Sequence, residues 1–193
     1  MRFLKTKYFL NIVFYVFISC NTTDFNAETE AYNIINNTLL NKIESLESYN
    51  KYYNKSTKQI FEIPLSQEEI DWAIKIIRLN NFSDSICTVT KVKKWDKFKL
   101  DSGVLLVKEK TYSNFKSLNN SNDFSLFIEK WEQEIGNSYI NMSNIIFNKK
   151  FDKAYILCER TNFNWMCGTG KIHFFEFLRK DNEWIINKDF FND

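Results

Sequence analysis

The chain has 193 residues, with 26 Lys and Arg against 24 Asp and Glu, one His and four Cys. Its length suits one domain, and nineteen Phe with five Trp supply enough core material to exclude a wholly disordered chain. The near-balanced charge leaves no basis for expecting a nucleic-acid partner.

Residues 1–20 read MRFLKTKYFLNIVFYVFISC. Arg2, Lys5 and Lys7 make a basic start, and an apolar run from Tyr8 to Ile18 follows, broken by Asn11. A basic start, a short apolar run and small residues before a cut define a secretion signal. The run is well short of the ~20 residues that cross a bilayer as a helix. Phe17-Ile18-Ser19-Cys20 resembles the bacterial lipobox: Ser19 fits the small position before the cut, and Phe17 departs from the usual Leu. The resemblance implies that residues 1–19 are a lipoprotein signal peptide and that Cys20 becomes the acylated first residue. The expected partner is thus a membrane of the cell envelope, reached through the lipid anchor, since two lipid signals already give stable anchoring. Cleavage removes the three basic residues at 2, 5 and 7, which leaves 23 basic against 24 acidic in the remaining 174 residues.

Residues 20–27 are read as lipidated cysteine and polar tether, and 28–193 as a single domain. Apolar residues at Ala31, Ile35, Leu39, Ile43, Leu46 and Tyr49 or Tyr53 predict an amphipathic helix, weakened at Asn36-Asn37. The stretch 54–65 breaks the pattern, with Pro64 at its end. Ser66 and Glu69 then form a capping box for a helix reaching about Leu79. Ile86–Trp95 and Gly103–Lys108 are expected as strands, and 113–122 as a loop. A helix follows with Phe124, Phe127, Ile128, Trp131 and Ile135 on one face. From Ser138 onward the pattern is a meander of strands at 138–147, 153–159, 172–178 and 183–187, joined by short turns. The expected class is α+β: N-terminal helices packed on an antiparallel sheet with a C-terminal β-meander.

With Cys20 acylated, three cysteines remain, which permits at most one bridge. Cys158 and Cys167, nine apart, are the candidate disulfide in an oxidising envelope; two buried thiols are the alternative. No C-x-x-C or His cluster suggests a metal, and nothing suggests a cofactor. His173 reads as a partly buried or edge-strand histidine. Cys167 is the candidate nucleophile of an alternative reading, a small hydrolase, for which His173 is the available base. The basic stretch Lys91–Lys99 (KVKKWDKFK) interleaves lysines with Trp95 and Phe98, and its alternation predicts one face of an exposed strand that an anionic ligand, lipid headgroups or a protein partner could meet.

Trp131, Ser143–Asn148 (SNIIFN), Lys153-Ala154-Tyr155, Trp165–Gly170 (WMCGTG) and Glu183-Trp184 together resemble an uncharacterised family of small secreted bacterial proteins and lipoproteins. That family has a C-terminal meander with a Phe-Asn strand end, a Cys-Gly-x-Gly loop and a closing Trp strand. The likeness covers roughly residues 124–187, and this chain departs from it at Ile146, Phe163 and Asn164. The resemblance implies architecture and no activity; with Phe163 in place of the first loop cysteine, it leaves Cys158 as the substitute partner for Cys167. The expected function is a membrane-anchored envelope lipoprotein with a non-enzymatic binding or structural role and a protein partner still to be identified. An immunity lipoprotein acting against a toxin is a third reading.

Overall fold

The computed structural model describes residues 25–42, 58–76, 86–111, 113–114, 124–135, 138–162 and 169–191. Cys20, Cys167, residues 21–24 of the expected tether and the expected helical residues 43–53 and 77–79 lie outside them. In chain order the elements are α1 (Ala27–Ile34), β1 (Lys58–Phe61), α2 (Gln67–Ile76), β2 (Ile86–Val89), β3 (Val104–Val107) and α3 (Phe124–Glu134). The strands β4 (Ser138–Met142), β5 (Ile146–Asn148), β6 (Lys153–Asn162), β7 (Thr169–Lys180) and β8 (Glu183–Asp189) follow. The class is α+β with a C-terminal β-meander, as the sequence pattern implies.

β6 is the spine of the sheet. On one side it pairs antiparallel with β7 from Lys153↔Leu178 to Asn162↔Thr169, and β7 pairs with β8. On its other side β4 and β5 run end to end, with β1 and β2 along their far side and β3 outside β1. The sheet is mixed rather than antiparallel throughout, because β1 runs parallel to both β3 and β4. The cause lies in the connection: α3 crosses over the sheet between β3 and β4, and a helical crossover returns the chain in the same direction.

Alternation sends side chains to two covered faces. On one face Ile60, Val104, Ile140, Met142, Phe147, Ala154, Ile156, Cys158, Phe175 and Phe177 pack under Ala31, Ile34, Ile35, Leu39 and Leu40 of the first helix. On the other, Ile146, Tyr155, Leu157 and Phe174 meet Ile70 and Ala73 of α2, and Val107 and Tyr139 meet Phe127, Trp131 and Ile135 of α3. The result is three layers, helix on sheet on two helices.

Local chemistry explains most boundaries. The Asn26 carboxamide accepts from Glu28 N and Thr29 N at 3.1 Å each, capping α1. The helix widens into a π-turn over Ile35–Leu39, where the sequence has its weak Asn36-Asn37. There Asn36 leaves the helix face to bond Lys99 O and Asp101 N. Ser66 and Glu69 form the expected capping box, with Ser66 N donating to Glu69 Oε2 at 2.7 Å and Glu69 N to Ser66 Oγ at 3.4 Å. Asp181 and Asn182, with φ of 50° and 67°, make the two-residue β7–β8 turn.

Four local expectations change. Lys58–Phe61, read as a break, is a strand, its Gln59 buried at 8 % exposure. The expected strand over 138–147 breaks at Ser143–Ile145, where the Ser143 hydroxyl accepts from Leu157 N and stands in for the missing ladder contact. Thr169-Gly170, read as loop, joins β7. The expected strand Ile86–Trp95 stops at Val89, and residues 90–99, read as extended, are a loop whose backbone bonds go to other elements: Thr90 N to Ile145 O, Val92 N to the Asn144 carboxamide and Trp95 N to Glu62 O.

Candidate functional site

Three groups of chemistry-bearing side chains stand out among the described residues. The first is on the face under α1. Cys158 on β6 sits opposite His173 on β7, and His173 Nδ1 donates to Asp189 Oδ2 at 2.6 Å. Asp189 Oδ1 accepts from Phe174 N and Phe191 N, both at 3.3 Å, so the carboxylate also holds the end of β8. His173 stacks on Phe175 with ring centroids 5.2 Å apart. It lies on an interior strand and is buried, so the expectation of an edge position is corrected.

Cysteine, histidine and aspartate in this order could suggest a nucleophilic site. Access and protonation argue otherwise. Cys158 is 1 % exposed, and burial, with the Asp189 charge adding to it, pushes its thiol up. A nucleophilic cysteine needs the opposite, an exposed and electropositive setting. Here the three residues act as a packed polar seam between strands.

Cys158 is a free thiol. The β6–β7 ladder continues four residues past it to Asn162↔Thr169, about 13 Å of strand. A disulfide needs Cα atoms within about 7 Å, so a bridge to Cys167 would require that cysteine to fold back over the ladder.

The second group is a buried carboxylate on the opposite face. Glu176, 7 % exposed, accepts from the Tyr155 hydroxyl at 2.9 Å, Asn187 Nδ2 at 2.5 Å and Lys153 Nζ at 3.4 Å. Burial first, and then the hydrogen bond and charge of Glu176, push the Tyr155 hydroxyl up, keeping it a donor. Three donors satisfy the carboxylate. Glu159 differs: burial and the like charge of Glu69 raise it above the usual carboxylate range. The sequence carried one sign of the Glu176 network, a lone acid within the apolar run of β7.

The third group is the loop after β2. Trp95 is buried at 3 % exposure and meets Tyr32 edge-on at 5.9 Å, whereas Phe98 stands 97 % exposed. Lys91, Lys93, Lys94 and Lys99 of the same loop are exposed. Glu62 anchors one flank. Burial pushes its carboxyl up, but bonds from Glu109 N at 2.8 Å and Lys94 Nζ at 3.3 Å, with the Lys94 and Lys108 charges, hold it below its ordinary value.

Elsewhere, Trp72, 47 % exposed, and Ile76, 54 % exposed, share the outer side of α2, where Trp72 stacks on Phe191. Two depressions open to solvent have volumes of about 430 and 500 Å³. Phe25–Glu28 with Val89–Lys91 line the first, and Lys150–Asp152 with Arg179, Asp181 and Asn182 the second. Neither contains the Cys158–His173–Asp189 seam. Among the described residues no group of three or more His, Cys, Asp and Glu is placed to hold a metal, and no helix is long and apolar enough to cross a membrane. Compared with protein families, curated proteins and solved structures, the chain matches none of them.

Proposed function

We propose that this chain is a membrane-anchored envelope lipoprotein with a non-enzymatic, binding or structural role. The observation that carries the reading is the first twenty residues: a basic start, an apolar run too short to span a bilayer, and Ser19-Cys20 at its end. The cap at Asn26 supports it. The packed domain is already under way at Phe25, which stacks on Phe151 with centroids 3.9 Å apart, and four residues lie between Cys20 and Phe25 in the sequence.

The non-enzymatic part is supported by where the titratable groups go. Cys158, His173, Asp189 and Glu176 are each consumed in cross-strand bonding or buried packing. An outward Trp72–Ile76 stripe on α2 offers a protein partner an apolar surface.

Cys20→Ser tests the anchor. The wild-type chain should incorporate labelled palmitate and pellet with membranes, and the variant should do neither. Retention of both by the variant would refute the reading.

A further inference from the structure

We infer that the loop Lys91–Lys99 is a second membrane contact, which seats the domain on anionic lipid headgroups through Phe98 and its surrounding lysines. This rests on the anchor proposed above and adds to it an orientation. Three observations meet at one corner of the molecule.

The first is the presentation of Phe98. A lone exposed aromatic on a surface is ordinary, but this ring stands on a turn tied at both ends. Asp96 N donates to Tyr32 Oη at 2.9 Å, Phe98 N to Asp96 Oδ1 at 2.9 Å, and Lys99 N and Leu100 N to Asp96 O at 3.1 and 3.2 Å. Trp95 goes inward and Phe98 outward. A ring so held meets an interface without first losing conformational freedom.

The second is charge. Lys91 and Lys93 are exposed. Lys94 pairs with Glu62 at 3.3 Å and Lys99 with Glu28 at 2.6 Å, yet their side chains stay 58 % and 50 % exposed. Lys97 Nζ bonds Val104 O. Glu62, Glu28, Asp96 and Asp101 oppose this charge; the first two are taken up by Lys94 and Lys99, and the aspartates are turned to backbone donors, Phe98 N and Ser102 N. A loop that carries exposed lysines on both sides of an exposed aromatic suits an interface of anionic headgroups.

The third is position. Five residue steps from Cys20 to Phe25 span roughly 18 Å at most. Phe25 and Lys91 line the same depression, and Glu28, in the first turn of α1, is bonded to Lys99, the neighbour of Phe98. With the anchor proposed above, an acyl chain on Cys20 holds this corner within reach of the bilayer. Lysines gain from an anionic surface within about one Debye length.

The test uses the full chain, lipidated and reconstituted in vesicles, with Phe98→Trp as the probe; so exposed a side chain can change without disturbing the core. The extra emission of the variant over wild type should be quenched by brominated phosphatidylcholine in vesicles containing phosphatidylglycerol. In phosphatidylcholine alone the quench should be weaker, and Lys91→Gln with Lys93→Gln should weaken it in the anionic vesicles, by roughly fivefold in partitioning per lysine. No quench above wild type, or an equal quench in neutral vesicles, overturns the inference. Palmitate labelling of the same sample separates the two readings. Label without quench removes the loop contact and spares the anchor; quench without label removes the anchor and spares the lipid-binding loop. A benzoylphenylalanine at position 98 adds a check in whole envelopes, where crosslinking to lipid supports the inference and crosslinking to a protein alone overturns it.

Discussion

Trp184 ties the last strand to the first helix, and breaking that tie has a calculable cost. Its indole Nε1–H donates to Glu30 Oε2 at 2.8 Å, its ring lies 5.8 Å from Phe147, and its carbonyl accepts from Thr38 Oγ at 2.7 Å. Arg179 reaches the other oxygen of Glu30 at 3.5 Å and lies over the indole at 5.8 Å. A hydrogen bond to a charged acceptor contributes about 1.5–3 kcal/mol. The Glu30 and Arg179 side chains are 19 % and 30 % exposed, so solvent screening leaves their ion pair with about 0–1 kcal/mol.

Trp184→Phe, which keeps a ring on Phe147, should therefore cost about 2–3 kcal/mol, and Glu30→Gln, which keeps an acceptor, about 1 kcal/mol. The double variant should fall short of the sum by a coupling of about 0.5–1 kcal/mol. Equilibrium urea unfolding followed by far-ultraviolet circular dichroism measures all four proteins, with an unchanged slope as the check that stability alone has moved. A coupling below about 0.3 kcal/mol would mean that the two residues act independently and would refute the tie.

Two further outcomes follow from the buried groups. Glu159 is raised by burial and by Glu69, so the native state holds its proton more tightly than the unfolded chain, and stability falls as pH rises through the window between the two pKa values. Glu159→Gln should stabilise the protein at neutral pH and lose that advantage below the ordinary carboxylate range; equal stabilisation at both pH values in urea titrations would contradict the assignment. Cys158 should resist a thiol reagent at mildly alkaline pH until the protein is unfolded in urea, as read by peptide mapping. Labelling of the native protein at the rate of an exposed thiol would reopen the nucleophile reading.

Much of the secondary structure was legible because its signals are local. The capping box at Ser66 and Glu69, the apolar spacing of α3 and the Asp181-Asn182 turn each depend on residues within one turn or hairpin. The short strand β1 was illegible for the opposite reason. Lys58–Phe61 has little alternation of its own and becomes a strand by lying between β3 and β4, about 45 and 80 residues away along the chain. The seam followed the same rule. His173 invited attention as the single histidine, but its partner Asp189 is set by the β7–β8 register, and the insulation of Cys158 by the helix above it.

The lipoprotein reading proposed above rests on residues 1–20 alone, because a secretion signal is read as linear sequence before any folding. The amphipathic spacing and aromatic content likewise imply an α+β domain with a closing meander. Tertiary structure alone decided which groups are spent and which are presented. Two-sided burial of the sheet put Cys158 into core packing and His173 and Glu176 into interior bonding, since a buried polar group must find its partner or cost stability. The same packing drew Trp95 inward against Tyr32 and left Phe98, three residues on, in water. Lys91–Lys99 reads in sequence as an alternating strand. In the folded chain it is a pinned basic turn beside the start of α1, held there by the packing of Trp95 on Tyr32 and the bond of Asp96 N to the Tyr32 hydroxyl, with the Lys99–Glu28 pair at its rim.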